Sequence, residues 1–200
     1  MAWAKLGTNT LVSGNNVVSI TGLTKNKFNM FISHITGSSS SVDFKGRVGD
    51  GSYDYTTSYA TRENQNGTEN VRLNATYFAS GLTGYGVSDG NSLHITYGIN
   101  IATEEKLFID FACLQNTAGA GYEPSRYEQA YKWINTSVQY DQYEYINASS
   151  VTYSTDSNIS VIGSEGTPVT VNIQNGTVFE ETDTNKSFIF NSSTSTWTQF

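Results

Sequence analysis

Hydrophobic and polar residues alternate along short stretches of this chain, and clusters of Gly, Ser, Asn and Asp separate the stretches. Alternation with a period of two places successive side chains on opposite faces of a strand. It predicts strands at Asn16–Ile20, Phe28–Thr36, Ser41–Val48, Tyr53–Arg62, Arg72–Ser80 and Asn91–Asn100. Further strands are predicted at Lys106–Gln115, Arg126–Thr136, Val138–Asn147 and Asn158–Gly163. The breakers are GSSSS, GDGS, NQNGT, GLTGYGVSDGN, ATEE and NTAGAG. No segment carries a convincing helical period. Many short strands at this spacing indicate an all-β, jelly-roll-like antiparallel sandwich.

Individual stretches sharpen the picture. In SVDFKGRV, Val42, Phe44 and Gly46 alternate with Asp43, Lys45 and Arg47, as in a strand wet on one face. In RYEQAYKWI, Tyr127, Tyr131 and Trp133 share parity and therefore one face. Such a stripe is either core or a sugar-stacking platform. The lone cysteine, Cys113, lies in LFIDFACL and is expected to be a buried, inert thiol. After Gly163 the pattern changes. TVFEETDTNKSFIFNSSTSTWTQF reads as three short strands joined by TDTN and SSTS turns. The expected organisation is a sandwich over 1–164, a linker or strand over 165–176 and a β-meander over 177–200. Phe179, Phe188, Phe190, Trp197 and Phe200 give the meander an apolar face for docking or oligomerisation.

Composition narrows the function classes. Charged residues make up 14% of the 200-residue chain, with 13 Tyr and 10 Phe, so the chain folds rather than remaining disordered. Net charge is −7 and the Lys and Arg residues are scattered, which argues against nucleic-acid binding. No apolar run approaches a membrane span, so no membrane insertion is expected. MAWAKLGTNT lacks the apolar core of a secretory signal, so export by the usual route is not expected.

Catalytic chemistry is thinly represented. His34 and His94 are the only histidines, each sits mid-strand, and neither neighbours a nucleophile motif. Glu104–Glu105 and Glu180–Glu181 are adjacent pairs, so their carboxylates diverge on a strand. GDGSYD offers Asp50 and Asp54 as a calcium candidate, below the ligand count of a recognised calcium loop. No other metal site and no cofactor are expected. Tyr85 in GLTGYGVSDG and Tyr122 in AGAGYEP stand in glycine-rich loops, where a rigid amphipathic ring suits contact with a ligand or partner. Trp133 is the third contact candidate, if its stripe faces outward. Asn-x-Ser/Thr occurs at Asn66, Asn74, Asn135, Asn147, Asn158, Asn175, Asn185 and Asn191, and no modification is expected there.

The succession WAKLG, NKFNMFISHI, VDFKGRVGDGSYDYTTSY, INIATEEKLFIDF, NTAGAGYEPSRYEQAYKWINTS and SNISVIGSEG resembles β-sandwich virion proteins of tailed viruses, particularly marine ones. An early F-N-G-D-G-x-Y-like segment is matched loosely by Phe44 to Tyr53, and an S-x-I-x-V-x-G closure by Ser157 to Gly163. The end, VFEETDTNKSFIF…TW, is similar to a meander at the ends of many phage structural and tail proteins. The resemblance implies a non-enzymatic virion protein on the exterior of the particle, as capsid decoration or as a tail or fibre component. Such a protein would be made in the host cytoplasm and assembled there into the particle. Its partners would be other virion proteins, further copies of itself and, in an adhesin, a host-surface glycan. The alternative is a carbohydrate-binding β-sandwich module recognising surface glycans through Tyr85, Tyr122 or Trp133.

Overall fold

Alternation and turn chemistry build nearly every element of the computed structural model, which describes residues 3–37, 44–79, 90–115, 118–147, 151–165, 174–181, 184–194 and 196–200. The strands are β1 (Ala4–Thr10), β2 (Val17–Ile20), β3 (Phe28–Thr36), β4 (Phe44–Gly49), β5 (Tyr59–Gln65), β6 (Thr68–Ala75), β7 (Phe78–Ala79) and β8 (Asn91–Ile99). They continue as β9 (Lys106–Leu114), β10 (Ser125–Trp133), β11 (Gln142–Asn147), β12 (Asn158–Ser164), β13 (Val178–Glu181), β14 (Lys186–Asn191) and β15 (Thr196–Gln199). Among the described residues there is no helix.

The chain divides into two compact units, one spanning Trp3–Glu165 and one within Gly166–Phe200. In the first, an eight-stranded antiparallel sheet runs β1-β12-β3-β8-β9-β10-β5-β6, and a four-stranded sheet runs β2-β11-β4-β7. The two sheets pack as a β-sandwich. Aromatic rings join them: Phe31 of β3 stacks on Tyr143 of β11 at 4.2 Å, and Phe78 of β7 stacks on Tyr131 of β10 at 3.9 Å. Gly46 makes the second stack possible, because a Cβ there would lie 1.8 Å from the Phe78 ring. The second unit is the three-stranded meander β13-β14-β15.

The stripe of Tyr127, Tyr131 and Trp133 faces inward and all three are buried, so it is core. Cys113 departs from expectation and is exposed. Its strand, β9, alternates with Lys106, Phe108, Asp110, Ala112 and Leu114 inward, which turns Leu107, Ile109, Phe111 and Cys113 out. β1 lies outside the strands that the alternation predicts. AKLGTNT is largely exposed and has no apolar alternation, and its pairing with β12 holds it as an edge strand.

Candidate functional site

β8 and β9 lie at the centre of the large sheet, and their polarity is inverted relative to a simple sandwich. β8 turns Ser92, His94, Thr96 and Gly98 inward, leaving Leu93 and Tyr97 exposed and Ile95 and Ile99 half-buried on the outer face. The core supplies partners for Ser92, Thr96, Lys106 and one oxygen of Asp110, whereas both ring nitrogens of His94 and Asp110 Oδ2 make no hydrogen bond. The buried Lys106 ammonium donates to the carbonyls of Ala102, Glu104 and Asn135 at 3.1, 2.8 and 2.6 Å. Its three protons are thus satisfied without a counter-ion. The Thr96 hydroxyl donates to Asp110 at 2.8 Å, and Tyr131, Tyr143 and Tyr145 continue the chain of hydroxyls at 3.2 and 3.0 Å. Burial, reinforced by neighbouring phenols and Asp110, pushes these three phenols well above the ordinary tyrosine value.

The register sets the outer face in rows. Met30, Tyr97, Ile109 and Ala130 are cross-strand neighbours on β3, β8, β9 and β10. On one side of that row lie Ile32, Ile95, Phe111 and Glu128; on the other lie the pairs Phe28–Ile99 and Leu107–Lys132. Leu107, Ile109 and Phe111 are 53, 52 and 48% exposed. Towards β6 the face deepens into an open apolar groove of about 720 Å³, lined by Trp3, Val71, Leu73, Tyr97, Leu107 and Ile109. Three cations of this face have an acid beside them, Arg62 with Glu69 at 3.4 Å, Lys132 with Glu105 at 2.7 Å and Arg126 with Glu128 at 3.7 Å, and Lys27 lies over the Phe28 ring at 5.2 Å. Covering such apolar area releases about 25 cal/mol per Å². A face of this kind is suited to apolar contact.

The residues singled out in the sequence are dispersed. Asp50 pairs with Lys25 at 2.5 Å. Asp54 accepts from the Thr56 amide and hydroxyl at 2.8 and 2.6 Å, from Ser58 at 2.7 Å and from the Trp133 indole at 2.6 Å. Both carboxylates of the calcium candidate are therefore committed to protein donors. Among the described residues no group of three or more His, Cys, Asp or Glu is placed to hold a metal ion. Trp133 is buried, with its indole N–H on Asp54. Tyr122 is 60% exposed beside a turn whose Gly119 has φ of +110°. Tyr85 lies outside the described residues. His34 is exposed, its Nε2 at 3.2 Å from Asn91. His94 is wholly buried against Phe44 and Tyr145, with its Nδ1 at 3.7 Å from Asp110. The two histidines are adjacent neither in sequence nor in facing.

In the meander, Phe179, Phe188, Phe190 and Trp197 share one face, with ring centroids 6.3, 6.1 and 5.2 Å apart in successive contacts. Phe200 follows Gln199 and so has the opposite parity to Trp197; it is exposed. The sequence pattern alone does not single out the outer face of β8 and β9. A signal was present: Lys106 and Asp110 alternate with Leu107, Ile109 and Phe111, so either set could have been placed inward. Compared with protein-family models, curated proteins and solved structures, the chain matches none.

Proposed function

We propose that this chain is a non-enzymatic structural protein of the exterior of a tailed virus, serving as capsid decoration or as a tail or fibre component. One observation carries the reading: a strand-built scaffold spends its polar groups inside and turns a continuous apolar face outward. A side chain needed for chemistry is ordinarily polar and reachable, whereas here Lys106, Asp110 and His94 are sealed in the core. An assembly subunit has the opposite requirement, an apolar face that another subunit covers. The sequence resemblance to virion proteins supplies the particle. The partners are other virion proteins and further copies of this chain.

Immunogold imaging of purified particles tests the reading. Regular labelling of the capsid or tail is expected, and labelling confined to cell material would overturn it. The carbohydrate-binding reading is favoured by Tyr122, an exposed ring on a glycine-supported turn. A glycan array separates the two: binding abolished by Tyr122→Ala would establish the module, and an array without binders would remove it.

A further inference from the structure

We propose that the outer face of the large sheet is the contact between two copies of this chain, packed face to face about a two-fold axis that runs across the strands through Met30, Tyr97, Ile109 and Ala130. The inference rests on the assembly reading above and names its surface and its partner. An axis in this row lays each strand over its own counterpart, so residues two places before the row meet residues two places after it. Phe111 then faces Leu107 of the other copy, Ile95 faces Ile99, and Ile32 faces Phe28, while Ile109 and Tyr97 meet themselves. Apart from the Tyr97 hydroxyl, all of these contacts are apolar. On β10 the same operation sets Glu128 against Lys132, an attractive pair made twice by symmetry.

Area favours a second copy as the occupant, and the charges on this face are matched for one. Net charge of −7 drives copies apart in general. On this face the repulsion is small, because the charges of Arg62, Arg126 and Lys132 are each balanced by an acid alongside. Arg62 lies on the row of the axis, and its neighbour Glu69 keeps the two guanidinium groups from meeting as bare charges. The exposed fractions of Trp3, Ile32, Val71, Leu73, Leu93, Tyr97, Leu107, Ile109 and Phe111 range from 38 to 69%. With side chains of this size, that sums to on the order of 700 Å² per copy, close to the ~800 Å² per partner of a stable interface. It exceeds the few hundred Å² that monomers ordinarily leave open. Twisted sheets stack about 10 Å apart at small angles, a geometry compatible with strands lying over their counterparts.

The full-length chain is to be examined by sedimentation over a wide concentration series, with circular dichroism confirming that each variant is folded. A reversible dimer is expected. Ile109→Glu places two carboxylates against each other on the axis and is expected to weaken the dimer by about a hundred-fold or more. Glu128→Lys and Lys132→Glu alone are each expected to weaken it by about ten-fold, and the double reversal to restore it. A monomer at every concentration overturns the proposal. So does a double reversal that fails to restore association, or a dimer indifferent to Ile109→Glu but lost on Trp197→Ser in the meander. A monomer that still labels particles removes this interface and leaves the virion role standing. A dimer of this design on a chain never found on particles does the reverse.

Discussion

Asp54 shows how one side chain can organise a loop that its sequence context suggests for something else. Its two oxygens accept four hydrogen bonds, one of them from the buried indole of Trp133. Burial raises the carboxyl, but the bonds from Thr56, Trp133 and Ser58 outweigh it and hold the group below its ordinary value. A folded-state value below the unfolded one, near 3.9, adds stability above about pH 4 that is lost as pH falls through the folded value. Asp54→Asn is therefore expected to lower stability by roughly 1–3 kcal/mol at neutral pH. It should also flatten the loss of stability in acid, which thermal melts from pH 3 to 7 would reveal. An unchanged acid slope would show that Asp54 is not the titrating strut. Lys106 is the second such residue. Replacing it by Met keeps the length but strips the donor from three carbonyls, and a loss of about 3 kcal/mol or more is expected in denaturant unfolding.

Elements follow from the sequence where turn chemistry and alternation agree. β5 and β6 are joined by Asn66 and Gly67, both at positive φ (+47° and +93°), the arrangement favoured in two-residue hairpins. Gly67→Ala forces a side chain into that region and is expected to cost on the order of 1 kcal/mol, readable as a lower melting temperature with the fold retained. β3 has the bounds that the sequence predicts, Phe28–Thr36, and buries Asn29, Phe31, Ser33 and Ile35 on its inner face. The strand expected from Tyr53 begins only at Tyr59, because Asp54 folds the intervening residues into a turn through its bonds to Thr56 and Ser58. That bond set depends on Trp133, 79 residues along the chain, and no local pattern reports it. The facing of β9 was hidden for the same reason. Its orientation is decided by carbonyls at Ala102 and Asn135 and by Thr96 on the next strand, and those partners exist only once the sheet has formed. The exposure of Cys113 is a by-product of that choice. The candidate site was therefore visible as residues but not as a face.

At the scale of the whole molecule, the core is aromatic and polar together, and this determines how the protein responds to base. Tyr59, Tyr127, Tyr131, Tyr140, Tyr143, Tyr145 and Tyr153 are all buried. Burial is the largest cause of the raised values of Tyr131, Tyr143 and Tyr145, and it also raises Tyr59, Tyr140 and the half-buried Tyr53, the last to about 12. In the unfolded chain the same phenols titrate near 10. Between those values the unfolded state has released protons that the folded state still holds, so stability falls as pH rises. The contribution is fully present below about pH 10 and is lost above it. Because the three linked hydroxyls share one core, they should ionise together and only as the sandwich opens. An alkaline titration should accordingly show a first, partial rise in tyrosinate absorbance with the far-ultraviolet spectrum unchanged, while the buried phenols keep their protons. A second, steep rise in tyrosinate absorbance should then coincide with loss of strand signal. Gradual ionisation of every tyrosine with the spectrum intact would mean that water reaches the hydroxyl chain, and that the polar groups turned inward by β8 and β9 are not sealed by the aromatic packing.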